Sequence, residues 1–189
     1  MTEYSFTFLV GGIDPQAENF EDVFFEAGCD DATIALMHRM VAVCFDREAE
    51  SFADAVVSAY ADLLKAGVQV LKFEPDTLVS QADIARRAGL TRAAVTNYVN
   101  GDRGTGFPVP TARIMTSSPL WTWLTVAGWL QEHGQLDATG VEQARAEQAL
   151  FGLFADGSFS GTPAELRMQL EALLKPKRSP PEPRISLLA

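Results

Sequence analysis

The chain has 189 residues, 47% of them hydrophobic and 21% charged, so we expect most of it to fold as one ordinary domain or two small ones. No apolar run is long enough to cross a membrane, and the first residues lack the basic head of a secretory signal. We therefore expect a cytoplasmic protein without a membrane partner. The net charge of −10, if spread evenly, would disfavour a nucleic-acid partner, because DNA repels acidic surfaces.

The charge is distributed unevenly along the chain. Residues 1–75 hold 14 acidic side chains against 4 basic ones, whereas residues 76–135 hold 4 acidic side chains against 5 basic ones. Residues 136–189 are nearly balanced, with 7 acidic and 6 basic side chains. Every cation of residues 76–135 is an arginine, a side chain that can pair bidentately with guanine. The acidity of the chain is therefore a property of its N-terminal part.

The hydrophobic pattern of residues 1–75 predicts two helices and four strands. Asp14 can cap the first helix, for which Pro15 is a suitable first residue, and Ser51 begins the second helix. The predicted elements are a strand at 5–10, a helix from 14 to 28, strands at 32–37 and 40–45, a helix from 51 to 67 and a strand at 68–73. This β-α-β-β-α-β order is that of ferredoxin-like domains, in which two helices cover one face of a four-stranded antiparallel sheet. We therefore predict an acidic ferredoxin-like domain over residues 1–75.

Residues 81–99 have the pattern of two short helices joined by a tight turn. Ser80 can cap the first helix, and Asp83 can return the hydrogen bond, as in a capping box. Gly89 ends this helix where a positive φ permits a sharp turn, and Thr91 can cap the second helix. The pattern predicts a helix-turn-helix, and a generic pair of helices with a glycine turn is the alternative. The residues that together favour the helix-turn-helix are Ile84, Ala85, Gly89, Leu90 and Val95.

The second of these helices, at 91–99, is the predicted recognition helix, and Val95 packs it inward. The residues left on its outer face are Arg92, Ala93, Thr96 and Asn97. An arginine can read guanine, an asparagine can read adenine, and a threonine or alanine can contact the methyl group of thymine. Thr91, at the start of the helix, can hold a phosphate. Gln81 completes the predicted DNA contacts of the two helices.

The segment after the recognition helix extends the pattern. It is rich in turns and ends in Phe107-Pro108-Val109-Pro110, and Trp121 and Val126-Ala-Gly-Trp129-Leu130 follow. Over residues 78–133 the chain resembles the winged helix-turn-helix proteins of the MerR and excisionase type. In that family a recognition helix is followed by a Phe-Pro-x-Pro turn, a small hairpin called the wing, a tryptophan, and a closing helix of the form Val-x-x-Trp-Leu.

This resemblance implies a winged helix-turn-helix DNA-binding domain over residues 76–135. It places Arg103 on the connection to the wing and Arg113 on the wing, where they would contact phosphate or the minor groove. For Arg113, a solvated surface position is an equally good interpretation. Thr122 stands where the family often has a basic residue after the tryptophan, which predicts a weak hold of the wing on DNA.

The C-terminal part predicts two more helices, at 139–154 and 162–174, within a helical extension over residues 136–174. They complete the wing domain or form a separate dimer arm. Residues 175–189 are rich in proline and charge, which predicts a disordered tail. The three tryptophans are expected in the core of the wing and closing helix. The pair Arg86-Arg87 is expected at the surface beside the DNA backbone.

No residues combine into a recognisable catalytic or metal-binding motif. His38 and His133 lie far apart in the sequence, and Cys29 and Cys44 have neither CxxC spacing nor flanking histidines. We expect both cysteines to be buried free thiols, although an oxidising compartment would let them pair. The acidic turn at 26–31 is expected to be solvated rather than to hold a cation. We therefore expect no enzyme activity, no metal site and no cofactor.

Three roles are open for residues 1–75: dimerisation, sensing of a small molecule, and binding of a protein partner steered by negative charge. Dimerisation is favoured because a single recognition helix contacts few bases. The uncovered face of a ferredoxin-like sheet could present apolar side chains to a second copy. The side chains expected on that face are Phe6, Phe8, Val41, Val43 and Phe45.

The sequence as a whole predicts an α+β protein with a ferredoxin-like N-terminal domain, a winged helix-turn-helix and C-terminal helices. Its predicted function is sequence-specific binding of double-stranded DNA in transcription regulation, as a homodimer. The alternative is a non-catalytic protein-interaction adaptor or antitoxin-like partner with a degenerate helix-turn-helix. The modest positive charge of residues 76–135 keeps this alternative open.

Overall fold

The computed structural model describes residues 1–37, 40–157 and 159–175, and its fold is mixed α+β, as the sequence predicts. The strands are β1 (Thr2–Gly11), β2 (Ala32–Met37), β3 (Met40–Ala49), β4 (Gln69–Glu74), β5 (Leu78–Val79) and β6 (Trp121–Thr122). The helices are α1 (Phe20–Ala27), α2 (Phe52–Lys65), α3 (Gln81–Arg87), α4 (Arg92–Asn100), α5 (Trp123–Glu132), α6 (Ala138–Leu153) and α7 (Pro163–Leu174). None of these helices is long and apolar enough to span a membrane. The predicted disordered tail, apart from Lys175, lies outside the described residues.

The N-terminal sheet has the strand order β2-β3-β1-β4, and each neighbouring pair is antiparallel. Phe8, near the middle of β1, lies opposite Val43 of β3 and Phe73 of β4. Successive side chains of a strand face opposite sides of the sheet, so alternate residues of β1 share one side. The residues buried on that side are Tyr4, Phe6, Phe8 and Val10.

This apolar side is the one covered by helices, which corrects the dimer surface predicted from the sequence. The ring of Phe6 lies 5.8 Å from that of Phe52 on α2, and the ring of Phe8 lies 5.7 Å from that of Phe154. The predicted surface residues are all buried, namely Phe6, Phe8, Val41, Val43 and Phe45. A period of two shows which residues share a face but not which face is covered. The more apolar face is buried because its removal from water drives the packing.

A capping side chain marks the start of α2 but not that of α1. Ser51 caps α2 by accepting a hydrogen bond of 3.2 Å from the N–H of Asp54, at the start that the sequence predicts. α1 begins at Phe20 and not after Asp14, so the predicted start was too early. Asp14 instead accepts a hydrogen bond of 3.0 Å from the N–H of Gln16, and this local turn competes with helix formation.

A buried arginine links the acidic turn after α1 to α2. Arg47 of β3 donates hydrogen bonds to Asp31 at 2.7 and 2.9 Å, to Asp62 at 2.8 Å and to the carbonyl of Gly28 at 3.1 Å. Burial lowers the pKa of Arg47, but the hydrogen bonds and charges of the two carboxylates outweigh burial and raise it above its ordinary value. The acidic turn is therefore not simply solvated, because Asp31 is paired within the fold.

A second hydrophobic core lies between α3, α4 and α5, and α6 belongs to both cores. Val141 and Ala144, in the first half of α6, pack in the second core, whereas Ala146 and Leu150 pack in the core of the sheet. α7 packs against α2 and α6. The two C-terminal helices thus connect the parts of the chain and do not project as a separate arm.

Candidate nucleic-acid interface

The turn between α3 and α4 is formed by the residues that the sequence pattern indicates. Ser80 accepts a hydrogen bond of 3.3 Å from the N–H of Asp83, whose carboxylate accepts one of 3.0 Å from the N–H of Ser80. The Ser80 hydroxyl, 2.7 Å from that carboxylate, is the main reason that the pKa of Asp83 is lowered to about 2. Gly89 has a φ of 64°, and Thr91 caps α4. The predicted capping box and glycine turn are both observed.

α4 has one buried side and one exposed side. Val95 and Tyr98 point into the second core and are buried. The exposed residues of the opposite side include Arg92, Ala93, Thr96 and Asn97. Residues three and four apart lie on one face of a helix, so these four side chains form a continuous outer surface. This is the orientation that the sequence predicts for the helix.

Gln81, at the start of α3, borders this outer surface. The hydroxyl of Thr96 lies 3.1 Å from Oε1 of Gln81 and 3.0 Å from the carbonyl of Arg92, and its single proton is donated to one of the two. Within the described part of the chain, the NH₂ group of Gln81 has no hydrogen-bond partner. The structure therefore brings Gln81, Arg92 and Thr96 together. Among the described residues, the NH₂ group of Gln81 is left to donate a hydrogen bond to a ligand.

Residues 111–120 form a small hairpin. The N–H groups of Thr111 and Ala112 donate to the carbonyl of Leu120 at 2.8 and 3.1 Å, and the N–H of Leu120 donates to the carbonyl of Ala112 at 2.9 Å. The hairpin leads into β6, which pairs with β5. We call the loop of this hairpin, residues 113–119, the hairpin tip. It contains Arg113, one of the predicted DNA contacts.

A cleft of about 370 Å³ lies between α4 and the hairpin tip. Gln81, Arg92 and Thr96 line its helical side, and Ser117 and Ser118 line the other side. The two serines were not among the predicted contacts, because no local pattern indicates that the hairpin tip lies beside α4. The one signal in the sequence was the turn-forming run Thr116-Ser117-Ser118-Pro119.

Two tryptophans hold the connection between α4 and the hairpin. The indole N–H of Trp121 donates to the carbonyl of Pro108 at 2.9 Å, and that of Trp129 donates to the carbonyl of Thr105 at 3.0 Å. Gly104 has a φ of 72°, and a Cβ there would lie 2.8 Å from the ring of Trp129. The tryptophans are core residues, as predicted, so their rings are not available to stack on bases.

Three arginines around α4 have no ion pair with any described residue. Among the residues that the structure describes, no Asp or Glu forms an ion pair with Arg92, Arg103 or Arg113. Arg92 begins α4, Arg113 lies in the hairpin tip, and the guanidinium of Arg103 lies 5.9 Å from the ring centroid of Tyr98. Asp102 is the only acidic residue between positions 84 and 131. The surface around α4 is therefore positive although the chain is acidic.

The neighbouring pair Arg86-Arg87 adds little free charge to this surface. Arg86 is exposed, but it pairs with Asp83 at 2.9 Å. Arg87 is largely buried, pairs with Glu147 of α6 at 3.2 Å and lies 5.4 Å from the ring centroid of Trp123. The surface position predicted for Arg87 is therefore wrong, because α5 and α6 cover this side of α3.

Other chemically reactive side chains take part in packing. His133 stacks on Trp129 with ring centroids 3.8 Å apart, whereas His38 lies outside the described residues. Both cysteines are free, but only Cys29 is buried as predicted, whereas Cys44 is half-buried. Burial, followed by the charge of Asp62, raises the pKa of Cys29 to about 11. Over residues 1–37, 40–157 and 159–175, no group of three His, Cys, Asp or Glu side chains is placed to hold a metal ion.

Comparison with known proteins identifies no relative. No protein-family model matches the chain, and no curated protein and no solved structure matches it. What the chain does is therefore inferred from the geometry of its own surface.

Proposed function

We propose that this protein binds double-stranded DNA through a winged helix-turn-helix formed by α3, α4 and the hairpin, and that it regulates transcription at a specific site. The observation that carries the proposal is the exposed face of α4, which presents Arg92, without an ion pair in the described part of the chain, and Asn97 beside a hairpin. The nine residues of α4 span about 14 Å. Such a helix fits the major groove, which is roughly 12 Å wide.

Base reading is assigned to the outer face of α4. The guanidinium of Arg92 can donate two hydrogen bonds to O6 and N7 of guanine, and the carboxamide of Asn97 can pair with N6 and N7 of adenine. Ala93 and Thr96 offer methyl groups to thymine. The side chain of Asn97 makes no hydrogen bond within the described ranges, so it can meet a base without breaking an internal contact.

Phosphate contacts are assigned to the residues that flank this face. Arg103 follows α4 and Arg113 lies in the hairpin tip, so their charges extend the positive surface beyond the helix itself. The Thr91 hydroxyl oxygen accepts the capping hydrogen bond, which leaves its proton for a phosphate. Thr122 stands where the family that the chain resembles often has a basic residue, and its hydroxyl lies 3.1 Å from that of Thr111, so it contacts the hairpin but offers DNA no charge.

We include in the proposal a ferredoxin-like fold for residues 1–75. It is supported by the strand order β2-β3-β1-β4, by the antiparallel pairing, and by α1 and α2 lying over one side of the sheet. The proposal retains a homodimer, because a single short helix reads few base pairs. It also retains the cytoplasm as the location. Since the apolar residues first expected at the dimer contact are buried, that contact uses other residues.

Binding to DNA from the region upstream of its own gene tests the proposal. The full chain is expected to bind one fragment with an affinity that falls steeply between ~50 and ~200 mM salt. The Arg92→Ala/Asn97→Ala variant should lose this binding. Arg145→Ala is the matched control, because Arg145 is an exposed arginine of α6 that has no carboxylate partner among the described residues. The proposal fails if the double variant binds like wild type or if wild type does not bind at low salt.

The acidity of residues 1–75 favours a second candidate, a protein-interaction adaptor or antitoxin-like partner. With 14 acidic side chains against 4 basic ones, this part of the chain would steer a basic protein. If the chain is an adaptor, it should bind no upstream fragment in the salt titration, and a basic protein should co-purify with it. Measuring both properties on one preparation separates the two candidates.

A further inference from the structure

The hairpin tip holds two large apolar side chains in solvent. Met115 is 97% exposed and Ile114 is 63% exposed. They are neighbours in sequence, and no packing within the described part of the chain accounts for them. Exposed apolar side chains that adjoin one another mark binding surfaces more often than isolated ones do.

The backbone of the hairpin tip is held in a defined turn. The N–H and the hydroxyl of Thr116 donate to the carbonyl of Arg113 at 3.0 and 2.9 Å, and the N–H of Ser118 donates to the Thr116 hydroxyl at 3.2 Å. Arg113 has a φ of 53°, a left-handed conformation that a non-glycine residue rarely adopts. Strain of this kind persists where the surrounding structure fixes it, and it is concentrated at binding sites. Met115 and Ile114 are therefore presented by a constrained loop.

The residues around these apolar side chains favour a polyanion, and not an apolar protein surface, as the binding partner. Arg113 precedes them, hydroxyl groups follow them, and no acidic residue lies between positions 103 and 131. Hydroxyl and guanidinium groups are common donors to phosphate. The cleft between α4 and the hairpin tip places the tip beside the helix that we assign to the major groove.

We propose that Ile114 and Met115 enter the minor groove next to the site read by α4 and wedge between two base pairs, which bends the duplex. This inference rests on the proposed function. Isoleucine and methionine are among the apolar side chains that unstack base steps from the minor groove and kink DNA by roughly 20–90°. Arg113, which we assign to a phosphate, stabilises the insertion through the DNA backbone at the edge of the groove. Pyrimidine–purine steps unstack most easily, so the preferred site has such a step at the position of the tip.

Bending of the bound duplex tests the inference. The probe is the upstream fragment bound by the full chain, shortened to about 30 base pairs and labelled at its two ends for energy transfer. Wild type should shorten the end-to-end distance on binding. The Ile114→Ser/Met115→Ser variant should bind the same site about tenfold more weakly, with an unchanged salt dependence and without bending. Val109→Ser is the matched control, because Val109 is 82% exposed but lies outside the hairpin tip, and it should bend the duplex like wild type.

The outcomes distinguish the inference from the function on which it rests. If wild type binds without bending, or if the double variant bends the duplex as much as wild type does, the wedge is overturned and DNA binding stands. If wild type binds no upstream fragment, the proposed function fails and the wedge fails with it. Both altered residues are exposed, so equal thermal melting of variant and wild type is expected and checks that the fold is retained.

Discussion

Arg87 of α3 and Glu147 of α6 form a buried ion pair in which Nη1 and Oε2 are 3.2 Å apart. Their side chains are 14% and 7% exposed. Burial is the main cause that raises the pKa of Glu147 and lowers that of Arg87, and their mutual charge opposes both shifts. The pair joins the proposed DNA-binding helices to a helix that also belongs to the core of the N-terminal sheet.

Glu147→Gln should lower the free energy of unfolding by about 3 kcal/mol, because it leaves the guanidinium of Arg87 buried without an opposite charge. Glu142→Gln is the control on the same helix, since Glu142 is exposed, and it should change stability by less than about 0.5 kcal/mol. Urea unfolding measures both. An Arg87→Met/Glu147→Leu variant should be more stable than Glu147→Gln, because no unpaired charge is left. If Glu147→Gln and Glu142→Gln destabilise the chain equally, the buried ion pair contributes no more to stability than an exposed glutamate does.

Arg92→Ala should weaken binding to the specific site by about 1–3 kcal/mol and reduce discrimination at one base pair. Its side chain is exposed and unpaired within the described residues, so the free energy of unfolding should stay unchanged. Titrations against the site and against single-base variants of it measure both effects. Equal affinity of variant and wild type would rule out Arg92 as a base contact.

Arg103→Ala and Arg113→Ala should act differently from Arg92→Ala, because phosphate contacts carry no sequence information. Each change should weaken binding to all sequences alike and reduce the slope of log affinity against log salt by about 1. The measurement is a salt series on specific and random duplexes. A loss of specificity with an unchanged salt slope would place the altered arginine against a base instead.

Gly104→Ala should destabilise the chain by about 2–5 kcal/mol, because it adds a clash with the ring of Trp129 to the cost of a positive φ. Gly106→Ala is a close control, since Gly106 has the same φ of 72° and no atom within 4 Å of an added Cβ. It should cost about 1–2 kcal/mol, because a residue with a Cβ strains in the left-handed conformation. The difference between the two losses in the free energy of unfolding gives the cost of the clash. Tryptophan fluorescence should change only for Gly104→Ala. Similar losses for both would mean that the backbone, not the ring, restricts position 104.

The stability that Asp83 contributes should depend on pH. Its pKa in the folded chain is about 2, below the ordinary value of 3.8, so its contribution is present above about pH 4 and is lost as the pH falls towards 2. Asp83→Asn removes the charge, so wild type should be more stable at neutral pH by about 1 kcal/mol, after allowance for solvent exposure. Urea unfolding of both proteins from pH 7 to pH 2 should show this gap closing. A stability difference that stays constant from pH 7 to pH 2 would contradict a contribution of the Asp83 charge to stability.

The parts of the fold that sequence patterns predicted are those whose partners are local. Ser80 and Asp83 are three residues apart, and Gly89 and Thr91 occupy a turn with a narrow choice of residues. These signals placed α3 and α4 and oriented α4. The α+β class followed from the periodicity of longer elements in the same way.

The features that the sequence did not predict depend on residues far apart in the chain. Glu147 is 60 residues from Arg87, and no local pattern couples them. The side of the sheet that α2 covers depends on the packing of Phe6 and Phe8, which periodicity leaves undecided. The sequence did not predict the exposure of Met115 either, because two apolar residues in a short loop indicate neither burial nor exposure.

The position of Phe154 has a consequence for the order in which the chain matures during synthesis. Its ring contacts Phe8 and Tyr60, so the core of the N-terminal sheet is completed by a residue made well over a hundred positions after β1. During translation the sheet has an incomplete core until α6 and the residues after it leave the ribosome. The segment that carries α6 and Phe154 is therefore what commits the N-terminal sheet to the native state.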